Sequence, residues 1–258
     1  MTTRTRRSAS RFDLADYSAG IERFSQQVNE AYYRQRAGLA DEMGLEAIYA
    51  DHATLFADAS LDALRRQAAG DGDEADQART LLAFAVEERL GMEVADLTDR
   101  IEAAESRAVI IWRGERIGYR DAWNRATDTT LRAERNGLAD SYYDAVEAIN
   151  PMRQERFERM AAAVRALGYA DVPDMVRQLA GFDPDELAAG QRRFLLDSET
   201  YHFAALRRFL AEIDIEQGDA SRVDLARILR GGGWDAWFPA RGMLPALRST
   251  LAGMGIDL

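Results

Sequence analysis

The chain has 258 residues, with 44 acidic against 33 basic side chains, a formal net charge of −11, and no cysteine. All 33 basic residues are arginine. Disulfides, thiolate metal sites and cysteine nucleophiles are therefore excluded, as are lysine Schiff bases and a Walker-type phosphate loop, while the negative charge argues against a nucleic-acid partner.

The first segment, residues 1–12, carries Arg4, Arg6, Arg7 and Arg11 and reads as a disordered basic tail. No apolar core follows Arg6-Arg7, so it does not read as a twin-arginine leader. From residue 13 to 258 the pattern is that of a single helical domain. Helices are predicted near 13–37, 44–57, 60–69 and 73–106, the last with a stripe of Leu90, Val94, Leu97 and Ile101. Gly70 to Glu74 reads as a loop. A small β-hairpin is predicted near 108–119, where β-branched and aromatic residues flank Arg113-Gly114-Glu115.

Further helices are predicted near 120–148 and 151–168, the second with a stripe of Phe157, Met160, Val164 and Leu167 and an outer pair Glu155–Arg159. Gly168 reads as its stop. Asp171 with Pro173 opens a helix near 172–180, and Asp183 with Pro184 opens one near 184–216. That one carries Phe203, Leu206, Leu210 and Ile213 as its stripe. Helices near 221–230 and 243–254 follow, joined by Gly231-Gly232-Gly233; the last repeats the pattern with Leu244, Leu247, Leu251 and Met254. The expected fold class is all-α: a multi-helix array with one inserted hairpin. No linker divides it. No run approaches the ~18 apolar residues of a membrane span, so no membrane partner is expected. The cysteine-free composition fits a reducing cytoplasm.

Chemistry-bearing patterns are sparse. The chain has two histidines, His52 and His202. Glu199 and His202, three apart on a helix, could face one metal, as in carboxylate-bridged di-iron bundles. Such a metal oxidase needs a second pair, and the residue three before His52 is Tyr49. The stronger reading of both histidines is structural, and no catalytic residue, metal or cofactor is assigned to this chain. Arg230-Gly-Gly-Gly233 lacks the strand and the Lys-Ser/Thr of a phosphate loop and reads as a helix–helix joint. Tyr142-Tyr143, Trp234 and Trp237 are expected in a core or an interface.

Three stretches and the hairpin carry a resemblance: ERNGLADSYYDAVEAINPMRQERFERMAAAVRALGYADVPDMV, FLLDSETYHFAALRRFL and WFPARGMLPALRSTLAGMGIDL, with VIIWRGERIGYRDAW. From about Ser18 onward the chain resembles the N-terminal helical half of metallopeptidases of the thimet oligopeptidase and oligoendopeptidase F type. The resemblance implies an almost wholly helical protein that cleaves peptides in a channel between two halves. It also implies zinc on His-Glu-x-x-His in the C-terminal half, the motif glutamate activating water. Neither His52 nor His202 is followed by glutamate, so no zinc ligand transfers to any position here. The expected partners are a C-terminal catalytic half or short peptides, with the oligomeric state open. Ile256-Asp257-Leu258 reads as the first step of a continuation. The rival reading is a free-standing helical interaction module.

Overall fold

The computed structural model describes residues 12–231 and 234–256. The basic tail up to Arg11, the joint residues Gly232 and Gly233, and Asp257-Leu258 lie outside the described residues. Among the described residues the fold is all-α, with one two-stranded antiparallel sheet.

The chain runs α1 (Leu14–Arg36), α2 (Leu45–Asp51), α3 (Asp58–Ala68), α4 (Asp73–Glu93), α5 (Ala95–Arg107), β1 (Val109–Trp112), β2 (Glu115–Gly118), α6 (Tyr119–Asp128), α7 (Arg132–Ala166), α8 (Val172–Ala180), α9 (Pro184–Ala211), α10 (Arg222–Arg230) and α11 (Ala240–Gly253). Short 3-10 turns lie at Ala53–Phe56 and Gln217–Asp219. Among the described residues no helix is long and apolar enough to cross a membrane.

The described residues form two compact units. One comprises the residues up to Ala108 together with Val146–Arg193; the other comprises Val109–Ala145 together with the residues from Phe194 onward. The chain passes between them at the α5–β1 junction and within α7 and α9. Two of the three crossings thus occur inside continuous helix, where no proline- or glycine-rich linker marks them in the sequence.

The first unit is built around Phe24, Phe56, Leu61, Leu64, Ala85, Val86 and Leu90, contributed by α1, α3, α4 and the first 3-10 turn. The rings of Phe24 and Phe56 meet edge to face at 4.8 Å, and Tyr49 joins them. The predicted stripe of Leu90, Val94, Leu97 and Ile101 is buried throughout. It does not lie on one helix, however. The predicted helix 73–106 breaks at Val94, whose φ of −127° and ψ of 14° leave the helical region. One turn earlier, Gly91 faces the Tyr49 hydroxyl so closely that a Cβ would clash with it.

The second unit holds the hairpin, α6, α10 and parts of α7 and α9. Arg113 and Gly114 both have positive φ, 51° and 83°, as a two-residue type I′ turn requires. Ile110 pairs with Ile117, and both are buried. Trp112 lies against Gly137, leaving no room there for a side chain.

The boundary predicted near Pro151 falls elsewhere. α7 continues through Pro151, and the break comes at Thr129–Leu131, before α7 begins. There Arg135 Nη1 donates to the carbonyls of both Thr129 and Thr130 at 2.9 Å, satisfying oxygens that have left the helix ladder. The helix predicted to run to 216 ends at Ala211, because Asp214 adopts φ 55° and the Ile215 N–H turns back to the Leu210 carbonyl at 3.0 Å. The predicted starts at Asp171 and Asp183 are present, accepting from the Asp174 and Asp185 N–H groups at 2.8 and 3.0 Å.

Candidate interaction surface

α9, α10 and α11 arise from amphipathic sequence, yet the second unit covers their apolar faces unequally. On α9, Leu210 is fully buried and Phe203 and Leu206 are half-buried, whereas Phe194, Leu195, Leu196 and Tyr201 are exposed. On α11 no residue is buried. Leu244, Leu247 and Met254 of its stripe stand in solvent, Leu247 at 46% exposure, and only Leu251 is half-buried. The turn before α11 is similar, with Trp237 at 77% and Phe238 at 78% exposure. Of the two places expected for Trp234 and Trp237, a core or an interface, the core is not where they lie: both are exposed. Tyr142 and Tyr143 do pack, against Tyr119 and Trp123, with Tyr119 and Tyr142 stacked at 5.1 Å.

Phe209, Leu229, Trp234 and Phe238 line a groove of about 530 Å3. The ion pair of Arg230 Nη1 with Asp235 at 2.9 Å also faces it. Gly231 closes α10 with φ 63°, a left-handed conformation, and its carbonyl accepts from the Trp234 N–H at 2.9 Å.

Elsewhere the second unit is held by a buried charge cluster that sequence reading missed. Arg135 and Asp224 are both buried, and Arg135 Nε and Nη2 donate to Asp224 Oδ1 at 2.9 and 2.6 Å. The other carboxylate oxygen accepts from the Ser221 N–H at 3.0 Å and its hydroxyl at 2.8 Å. Burial works against ionisation of Asp224, but the Ser221 N–H, the Arg135 guanidinium and the Ser221 hydroxyl outweigh it and lower its pKa. Ser221-x-x-Asp224 is legible as a capping box; nothing in the sequence pairs it with Arg135, 89 residues away. Both carboxylate oxygens of Asp224 are engaged, by Arg135 and by Ser221, so the cluster clamps α10 to α7.

Glu199 and His202 lie on an exposed stretch of α9, and among the described residues no group of three His, Asp or Glu side chains could hold a metal ion. His52 caps α2, its Nε2 3.1 Å from Gln27 Oε1 and its ring edge-on to Phe24 at 5.6 Å. In the first unit Tyr49 donates to Glu88 at 2.6 Å. Burial first, and then Glu87, raise the Glu88 pKa, against the lowering by the Tyr49 hydrogen bond.

No family model, curated protein or solved structure matches the chain.

Proposed function

We propose that this chain is the non-catalytic helical half of an oligopeptidase-like protein and forms one wall of a peptide-binding channel. The observation that carries the reading is the apolar surface left uncovered in the second unit from Phe209 to α11. Soluble monomers rarely expose large contiguous apolar patches without a binding role. The resemblance of three long stretches, the all-helical fold and the hairpin add support.

The residues present do not fit a hydrolytic zinc ion. His52 is engaged with Gln27, and Glu199 and His202 lack a third ligand among the described residues. The zinc chemistry would belong to a His-Glu-x-x-His half outside these 258 residues. This chain would hold the peptide, taking an apolar side chain in the groove beside Trp234 and Phe238, whose volume suits a small ligand. The cysteine-free sequence supports placing it in the cytoplasm.

The test uses a fluorescein-labelled nonapeptide with a central phenylalanine, titrated by anisotropy and followed for cleavage with zinc added. The expected result is saturable binding, weakened about tenfold by Trp234→Ala, and no cleavage. Chelator-sensitive turnover would refute the inert wall. Absence of peptide binding, with dimers in sedimentation, would favour the free-standing interaction module instead.

A further inference from the structure

The sequence from Ala236 to Ile256 contains no aspartate or glutamate, although the whole chain has 44 acidic residues against 33 basic ones. Its two charges are Arg241 and Arg248, both exposed and seven residues apart on α11. Two turns of helix separate them, so they share one flank, beside the stripe of Leu244, Leu247, Leu251 and Met254. Among the described residues neither arginine makes an ion pair. Arginines elsewhere in the second unit, such as Arg113, Arg125, Arg135 and Arg230, do. On this stripe Leu244, Leu247 and Met254 are exposed, with Met243 exposed beside them, so the helix presents an unpartnered apolar face.

We infer that α11 is a docking helix for an amphipathic partner helix that carries carboxylates along one flank. The inference rests on the wall reading and names how the wall is joined: the stripe supplies burial, and Arg241 and Arg248 supply orientation. Charge complementarity selects this occupant. A second copy of α11 brings no carboxylate to the seam. An antiparallel pair of α11 helices would instead set arginine flank against arginine flank. An anionic bilayer is disfavoured by the net charge of −11 and by the presence of only two cations on the helix.

The test titrates the full chain at low salt with two synthetic 21-residue helical peptides. Both carry leucines at heptad a and d positions; one has glutamates on a single flank and the other has lysines there. The glutamate peptide is expected to bind about tenfold more tightly. The double variant Arg241→Glu/Arg248→Glu should invert that preference, and Leu247→Glu should abolish binding of both peptides. These positions are exposed, and an unchanged helical circular dichroism spectrum checks that the variants fold. Equal affinity for the two peptides, a preference surviving the double variant, or α11-dependent co-sedimentation with 3:1 phosphatidylcholine–phosphatidylserine vesicles would overturn the inference. If the preference is absent while the nonapeptide still binds the groove, this inference fails alone. If both are absent, the wall reading fails with it.

Discussion

Leu64 on α3 and Leu247 on α11 occupy equivalent places in amphipathic helices, one in each unit. Leu64 is wholly buried among Phe24, Phe56 and Leu61, whereas Leu247 is 46% exposed. Full burial of a leucine is worth about 1.5–3 kcal/mol. The first unit has already gained this from its stripes; the second unit retains it on α11 for whatever covers that helix. Each unit has its own means of cohesion. The first relies on an aromatic and aliphatic core, the second on the Arg135–Asp224 clamp, the hairpin and the Tyr119–Tyr142–Trp123 stack.

Asp224→Ala should give an effect as large as any and confine it to the second unit. It leaves the Arg135 guanidinium buried without its counter-charge, at a cost of about 3–5 kcal/mol. Hydrogen exchange should quicken in α6 and α10 while α1, α3 and α4 keep their protection. Uniform acceleration across both units would break the comparison.

Phe24→Ala and Leu247→Ala test the contrast from the other side. The first opens a cavity and should cost about 3–5 kcal/mol in urea unfolding. The second removes an exposed side chain and should change stability by no more than about 0.5 kcal/mol. A comparable loss from Leu247→Ala would mean that α11 is already packed.

Acid should separate the units more gently. Glu88 has a raised pKa in the fold, above its ordinary 4.5. Its contribution is therefore greatest below that ordinary value and is lost as pH rises through the folded one. Asp224 is lowered from 3.8, so its contribution is present above that value and lost as pH falls through the folded one. Between neutrality and about pH 4.5 the first unit should gain slightly; below about pH 3.8 the second should begin to lose protection. Glu88→Gln should flatten the first trend, as read from exchange rates across the titration. Parallel behaviour of the two units between neutrality and about pH 4.5 would contradict the Glu88 assignment.

Much of this fold is written locally. Asp171 and Asp183 announce their helices as N-caps, and β-branched and aromatic residues around Arg113-Gly114-Glu115 announce the hairpin, whose turn has the positive φ values it needs. What periodicity cannot convey is whether a face is covered. Leu90, Val94, Leu97 and Ile101 form a stripe that is buried; Leu244, Leu247, Leu251 and Met254 form an equally regular one that is not. Phe157 shares a stripe with Val164, yet Phe157 is exposed and Val164 buried. The sequence also hides long-range polar order. Arg135 looks like any surface arginine until Asp224 and the Thr129 and Thr130 carbonyls converge on it. The candidate surface was half legible: Trp234 and Trp237 stood out, but Phe209 and Leu229 join the groove only through the fold.

The uncovered state of α11 and its role in docking can be read in one experiment, amide hydrogen exchange of the full chain with and without the glutamate-flanked helical peptide. The account predicts rapid exchange through residues 244–254 in the free chain and at least about tenfold slowing there on peptide addition. Slow exchange in the free chain, or unchanged rates at saturating peptide, would contradict it.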